Sequence, residues 1–547
     1  MGSAYYMIAE LLSKERIIAK PGFNRWLVPP AALAIHLSIG MAYGFSVFWL
    51  PLSHSIGIQE SVACPEGMGF LSQIVTTQCD WKISILGWMF TLFFVFLGSS
   101  AAVFGSWLEH EGPRKAGVVA AFCWGGGFLI SALGVYLHQI WMLWLGSGVI
   151  GGCGLGLGYI SPVSILIKWF PDRRGMATGM AIMGFGGGAM IGAPLGNILM
   201  RFYATETSVG VWETFVTLGI IYFMAMLCGA FGYRVPPLDW KPEGWTPPVE
   251  TQKGMITQHH VHLNEAHKTP QFWLLWGVLC LNVSAGIGVI GMASPMLQEV
   301  FGGNLIHVPL GFRQLDENQK LAIAGIAAGF AGLLSLFNIL GRIFWASLSD
   351  YLGRKTTYIV FFGLGIALYS TAPFAGNLGS VALFVAIFCI ILTMYGGGFA
   401  TIPAYLADIF GTRFVGAIHG RLLTAWSAAG ILGPVLVNYI REFQIDKGVP
   451  LAQVYNTTMY VLASLLVLGL LCNLAMQHVA ARHYMTKEDL EKESYLAHED
   501  ARKEKTLLEW HPEPSSWTVV AITWLAISVP LGWGIWQTMK SAAKLFG

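Results

Sequence analysis

"NILGRIFWASLSDYLGRK", residues 338–355, begins as an apolar helix and ends as a charged loop. Its close runs Asp350, then Gly353 three residues on, then Arg354 and Lys355. The same order recurs in the front half as "GSWLEHEGPRK" (105–115), where Glu109, Gly112, Arg114 and Lys115 take the corresponding places. A second echo pairs "WFPDRRG" (169–175) with "ADIFGTRF" (407–414), and there Asp172 reads as a loop anchor. The chain therefore reads as two copies of one unit. The opening stretch holds one more signal. Arg342 is a cation set between Gly341 and Ile343, with Phe344 and Trp345 directly after it, well before the loop begins.

Composition says where such a unit sits. Of 547 residues, 55% are hydrophobic and only 11% charged, with a mean hydropathy of +0.59. Soluble domains carry about 25% charge, so most of this chain is expected in a bilayer. A net charge of +2 argues against a nucleic-acid partner. Apolar runs of about 20 residues, enough to cross a hydrocarbon core of roughly 30 Å, recur along the chain. They fall near 26–52, 83–106, 117–137, 140–168, 175–200 and 211–232, then 271–298, 321–348, 356–375, 379–406, 418–440 and 454–480, with a thirteenth at 517–538. The expected organisation is a cytoplasmic segment (1–25), a six-helix bundle (26–232), a cytoplasmic loop (233–270), a second six-helix bundle (271–480), a charged cytoplasmic helix (481–516) and an extra transmembrane helix (517–538).

Orientation follows from the basic residues, which concentrate on the cytoplasmic side of multi-pass proteins. With the N-terminus inside, Lys82, Arg201, Arg313, Lys320, Arg441, Lys447, Lys540 and Lys544 fall in outer segments and Arg342 inside a span. The other 23 of the 32 are then cytoplasmic. A multi-pass protein of the cell membrane, inner or plasma, is expected. Charged residues from Glu10 to Arg25 precede the first apolar run without a small-residue cleavage site, which argues against a cleavable signal. Six cysteines lie in apolar runs and read as packing residues, whereas Cys64 and Cys79 share one polar loop. That loop faces outside on this topology, so a Cys64–Cys79 disulfide is expected.

The acid–x–x–Gly–Arg–Lys loop after the second helix of each half resembles the signature of the major facilitator superfamily. More narrowly, "TPQFWLLW" (269–276), "KWFPDRRGMATG" (168–179), "NILGRIFW" (338–345) and "ADIFGT" (407–412) resemble the oxalate/formate antiporter family and the related monocarboxylate transporters. The resemblance implies an all-α membrane protein of major facilitator fold, two six-helix bundles here followed by an extra helix, working as a monomer by alternating access. It assigns Glu109, Arg114, Asp350 and Arg354 to a cytoplasmic latch. The first copy departs from the pattern, with Glu109 for the usual aspartate and Pro113 interrupting the basic pair, and a weaker latch is expected there.

Arg342 lies eight residues before Asp350, roughly 12 Å deeper along a helix. A cation at that depth is normally paired or faces a watery cavity. No Asp or Glu lies in the middle of any expected span, so the missing anion reads as a mobile one, the substrate. The competing reading is an arginine that snorkels to the surface or caps backbone carbonyls. The resemblance favours the first, because N-x-x-x-R-x-F-W puts Arg342 at the family's essential substrate-binding arginine. A guanidinium suits a carboxylate by matching two oxygens with two N–H groups.

Two departures bear on which anion is bound. The family's oxalate exchangers carry a lysine midway along the eleventh helix, where this chain has Trp426. Arg421 is on the same helix, but five residues place it about 7.5 Å along and about 140° around the axis. A monocarboxylate such as formate, lactate or pyruvate is preferred, with oxalate as the alternative. Proton-linked relatives carry an aspartate one turn before the arginine, where Asn338 stands here and cannot titrate. Anion exchange, a proton carried with the substrate, and His36 as a proton site all remain open. Tyr43, Tyr159, Tyr395 and Phe399 fall on the family's cavity-lining positions, each with helix packing as its plainer reading.

The glycine runs 146–158 and 184–196 lie inside expected spans with no strand before them, so close helix packing is expected and not a phosphate cradle. "QHHVHLNEAH" (258–267) matches no metal-ligand spacing and reads as a solvated loop. Thr486 with Asp489 forms a capping box at the head of the charged tail, which continues through the opposed charges Glu488–Lys492 and Glu499–Lys503. No metal or cofactor is expected. A receptor built on a transporter scaffold would need an effector domain, and an intramembrane enzyme a nucleophile–base pair or metal ligands. A carrier for small carboxylates is the preferred reading over both.

Overall fold

The computed structural model describes residues 11–545 except 13–14, 59–60, 66, 171, 173, 238–239, 245–256, 258, 412–413 and 491–513, and omits a few side chains inside helices, Glu109 among them. Among the described residues there is no β-structure beyond isolated bridges. Thirteen helices among the described residues are long and apolar enough to cross a membrane. The first six are α1 (Arg25–Leu52), α2 (Ile83–Gly105), α3 (Pro113–Tyr136), α4 (Ile140–Leu166), α5 (Ile182–Tyr203) and α6 (Val211–Gly232). The second six are α7 (Pro270–Ile306), α8 (Glu317–Leu352), α9 (Arg354–Asn377), α10 (Val381–Phe410), α11 (Ala417–Asp446) and α12 (Leu451–Leu474), and α13 (Trp517–Ala543) follows.

The helix ends follow local chemistry. Thr269 caps α7 by accepting from Phe272 N–H at 3.3 Å, with Pro270 in the first turn, where its missing N–H costs nothing. Asp316 and Gln319 exchange side-chain bonds with each other's backbone at the head of α8. The repeated loop has a backbone reason for its glycine. Gly112 and Gly353 both adopt positive φ, +89° and +82°, which lets the chain turn sharply from one helix into the next.

The halves meet where α2 packs on α11, α5 on α8 and α1 on α7. Glycines set the closeness of approach within each half. A Cβ on Gly188 would lie 2.2 Å from the Gly40 carbonyl carbon, so α5 and α1 touch backbone to backbone. Gly341 does the same for α8 and α10, where a Cβ would meet the Thr393 carbonyl at 2.1 Å. That contact seats the turn carrying Asn338 and Arg342.

One face carries the loop between α1 and α2. Cys64 and Cys79 are joined there, and the Asp80 carboxylate accepts from the N–H groups of Ile56, Gly57 and Val62 at 2.7, 2.9 and 2.9 Å. His138 locks the loop to the α3–α4 turn. Its Nε2–H donates to the Cys79 carbonyl at 2.9 Å, its Nδ1 accepts from the Ser55 hydroxyl at 3.2 Å, and its ring stacks on Trp81 at 4.0 Å. Both nitrogens are used by the neutral ring, and burial lowers the pKa below its ordinary 6.5. A lowered pKa means that the opened loop takes up a proton more readily than the closed one. The loop is thus held fully above pH 6.5 and loses hold progressively as the pH falls below it. The protection factors of the Ile56 and Val62 amides, that is exchange corrected for the pH dependence of free amides, are expected to fall between pH 7 and 5, and His138→Phe should remove that fall; unchanged protection would refute the assignment.

The opposite face carries the N-terminus and most basic loops. Arg25 holds Asp172 through two bonds of 2.7 and 3.0 Å, anchoring the loop after α4. The central loop docks beneath the second half, Thr257 N–H on the Asp408 carbonyl and Val261 N–H on that of Phe410. Thr486 and Asp489 form their capping box, while Lys492, Glu499 and Lys503 lie outside the described residues.

One buried carboxylate lies just past the bound expected for the seventh span, toward the end of α7. Glu299, near the disulfide-face end of α7, is 3% exposed and accepts from Arg441 Nε of α11 at 2.8 Å, from Arg441 Nη2, and from the Tyr455 hydroxyl at 2.6 Å. The expected span broke off at 298 and placed Arg441 in an outer segment, which hid a buried pair.

Candidate functional site

Arg342 lies in α8 at the junction of the halves and is 1% exposed. Its Nε donates to Asn338 Oδ1, one turn earlier, at 3.0 Å. Its Nη1 crosses to the other half and donates to the Ile182 carbonyl of α5 at 2.8 Å. Nη2 has no partner at full hydrogen-bond geometry, although the Tyr43 hydroxyl lies close enough to interact with the guanidinium. Gly186 on α5 leaves room for this, since a Cβ there would stand 3.2 Å from Arg342 Nε. The snorkelling alternative fails on burial. The carbonyl-capping alternative accounts for one nitrogen of the three.

Aromatic rings from five helices cluster at the junction, with that of Phe399 nearest the guanidinium among the ring contacts. Phe399 of α10 lies 5.7 Å from Arg342 Cζ and 4.3 Å from the ring of Trp426 on α11. Tyr159 of α4 packs on Trp426 at 5.2 Å. Tyr43 of α1 and Tyr395 of α10 share a hydroxyl–hydroxyl bond of 2.6 Å across the two halves. Phe185 of α5 packs on Tyr43, Tyr159 and Trp426 at 4.8, 5.6 and 5.5 Å, a wall residue that the sequence reading missed. It is the one bulky side chain in "GFGGG" (184–188), and that contrast was the available clue.

The unsatisfied polar atoms of this junction are Arg342 Nη2, Asn338 Nδ2, Tyr159 OH and Trp426 Nε1, all buried and all able to donate. Buried donors without partners are costly, and a cluster of them fits a ligand that brings acceptors. The adjoining cavity, lined by Tyr43, Ser335, Asn338 and Leu392 among others, has a volume of about 10 Å³. That is about one water, so the helices must separate to admit even the smallest carboxylate.

Other sequence-predicted site residues lie elsewhere. Arg421 donates to the Leu263 carbonyl at 2.9 Å, to His267 Nδ1 at 3.2 Å and to Asn264 Oδ1 at 3.0 Å. It holds the central loop and supplies no second cation to the junction, because it stands at the loop end of α11, where the acceptors of that loop are within reach. His36 is fully buried in α1, with Nε2 3.1 Å from the Tyr159 carbonyl and its ring stacked on Tyr159. The signature cations act within their own halves in this conformer. Arg114 donates to the carbonyls of Leu11 at 3.0 Å and Tyr233 at 3.2 Å, while Arg354 pairs with Asp350 and stands 3.7 Å from Asp408. The Glu109 side chain lies outside the described residues.

Polar contacts between the halves gather toward the disulfide face. Ser84 N–H donates to Glu442 at 3.1 Å, Trp88 Nε1 to the Tyr439 hydroxyl at 3.0 Å, Trp49 Nε1 to the Gly291 carbonyl at 2.7 Å, and Arg201 to the Leu321 carbonyl.

The family model "Major Facilitator Superfamily" matches residues 32–434 and, in a second match, 315–539. The chain belongs to the major facilitator superfamily. It is a multi-pass membrane transporter of that superfamily. Among its relatives, the uncharacterised MFS-type transporter YhjX of Escherichia coli is 26% identical over 70% of this chain and 86% of its own length. The oxalate:formate antiporter of Oxalobacter formigenes is 26% identical over 75% and 83%. The apicoplast pyruvate carrier 1 of Toxoplasma gondii is 26% identical over 56% and 61%. The superfamily fold recurs in the D-xylose–proton symporter, with a TM-score of 0.54 at 16% identity over 82% of this chain and 96% of that one.

Proposed function

We propose that this transporter carries small monocarboxylates, with formate, lactate and pyruvate as candidates, by alternating access around Arg342. The observation that carries the reading is that Nη2 of a fully buried arginine at the seam of the halves has no partner at full hydrogen-bond geometry. A cation there is stabilised when a carboxylate arrives and is costly when none does. Relatives that transport oxalate, formate and pyruvate support the substrate class. The concentration of basic residues on the N-terminal face supports a cytoplasmic N-terminus in a cell membrane. The signature residues Arg114, Asp350 and Arg354 are then the cytoplasmic gate. Coupling reads as anion exchange, as a proton carried with the acid, or as a proton on His36, because Asn338 does not titrate and a bond from His36 Nε2 to the Tyr159 carbonyl leaves the ring able to take one.

Oxalate is the second reading, favoured by the antiporter relative. It meets an obstacle in Trp426, which offers a neutral N–H, and in Arg421, which is engaged elsewhere. Thermal unfolding separates the two. A ligand at 100 times its Kd stabilises by about 2.7 kcal/mol, and a monocarboxylate is expected to give that shift where oxalate gives little. Trp426→Lys should bring in a second cation and raise oxalate affinity by about tenfold or more, the worth of one added charge-assisted bond. A wild type that prefers oxalate would sink the monoanion reading.

A further inference from the structure

The thirteenth helix lies along the line where α5 of one half meets α8 of the other, and touches both. Its buried residues are few: Val520, Gly534, Thr538 and Ala542. The rest faces outward, with Val529 and Trp536 66% and 67% exposed. Its root is fixed to the first half. Asn24 N–H donates to Ser515 Oγ and Ser515 N–H to the Gly22 carbonyl, both at 3.2 Å, and Trp524 Nε1 donates to the Trp26 carbonyl at 3.0 Å.

Farther along, one turn engages both halves at backbone distance. Thr538 is fully buried and its hydroxyl donates to the Met190 carbonyl of α5 at 3.3 Å. On the other side, a Cβ on Gly332 of α8 would stand 2.4 Å from Thr538 Oγ1, and one on Gly329 would stand 2.4 Å from Ser541 Cβ. A Cβ on Gly534 would lie 2.8 Å from Ile191 Cγ1 and 3.0 Å from the Met190 carbonyl. Such contacts need α5 and α8 side by side, as Ser335 on the Gly186 carbonyl and Arg201 on the Leu321 carbonyl also hold them.

We infer that α13 is a clamp across the α5–α8 seam that favours the conformer closed at the disulfide face. Opening that face moves Met190 away from Gly332, and Thr538 cannot stay against both. The contact therefore exists in one state and is lost in the other, which is the condition for biasing an equilibrium. The argument rests on the alternating-access reading, but not on which substrate is carried.

The test is pulsed electron–electron resonance between spin labels at Glu206→Cys and Asn318→Cys. Both are exposed on the disulfide face, one after α5 and one at the head of α8. The background replaces the six unpaired cysteines and keeps the disulfide. Gly534→Leu and removal of residues 517–547 should raise the long-distance population about threefold or more, with Thr538→Val changing it in the same direction and Trp536→Ala leaving it unchanged. Identical distributions in all four would overturn the clamp, as would an equal effect of Trp536→Ala. If Gly534→Leu and the truncation fail to fold, Thr538→Val alone decides, since it keeps the shape and deletes only the bond. A Thr538→Val protein that also failed to fold would make α13 a structural support, which refutes the clamp. No substrate enters the measurement, so a protein that bound no carboxylate would still pass or fail on it.

Discussion

Arg342→Ala abolishes the thermal response to monocarboxylates and brings uptake into proteoliposomes down to background. The loss expected is about 3 kcal/mol, more than 100-fold in affinity, because hydrogen bonds to a charged partner are worth about 1.5–3 kcal/mol and Arg342 is the one cation of this site among the described residues. Arg342→Lys keeps the charge but cannot donate to Asn338 Oδ1 and the Ile182 carbonyl while reaching a ligand, so it should recover little. The ligand-free protein should behave in the opposite sense. A buried cation with one nitrogen short of a full hydrogen bond is a burden to the fold, and Arg342→Ala should leave ligand-free stability unchanged or slightly raised. A variant that still responds to formate, lactate or pyruvate would show that the carboxylate binds elsewhere. One that merely unfolds would show that Arg342 is a structural cap.

Glu299→Ala is expected to lower stability by about 3–5 kcal/mol, the range for removing one partner of a buried ion pair. Arg441 would keep its charge at 7% exposure without the carboxylate it is bonded to, and the Tyr455 hydroxyl would lose its acceptor. Replacing both members, Glu299→Met with Arg441→Met, should cost far less than the sum of the single changes. Desolvation of the pair roughly offsets its attraction, whereas a lone buried charge has nothing to offset it. Unfolding midpoints of the two single variants and the double variant measure this coupling. Additive effects would mean that the pair is not a closed unit. The pair joins α7 to α11 inside the second half, so ligand selectivity should survive in whatever protein folds.

Hydropathy is a local property, and it was enough to locate thirteen spans, the six-plus-six repeat and the cation buried in the eighth helix. The glycine that closes each copy of the repeated loop was also visible in the sequence, because its positive φ is a demand of the local backbone. Tyr43, Tyr159, Tyr395, Phe399 and Trp426 could be put forward by resemblance, but no local rule says that rings from α1, α4, α10 and α11 share a wall. The sequence did not exclude Arg421 from the site, since distance along a helix says little about which neighbour a long side chain will reach. Phe185 carries no local signal of its role, since a lone bulky residue in a glycine run gains meaning only when α5 is laid against α1. Glu299 was hidden because its partners stand 142 and 156 residues away. The last helix read only as one more apolar segment, and only its packing decided that it straddles both halves. The sequence by itself determined which segments enter the membrane, through the transfer free energy of their own side chains. The tertiary structure decided which buried polar groups find partners and which stay free, because that depends on how closely helices distant in sequence approach one another.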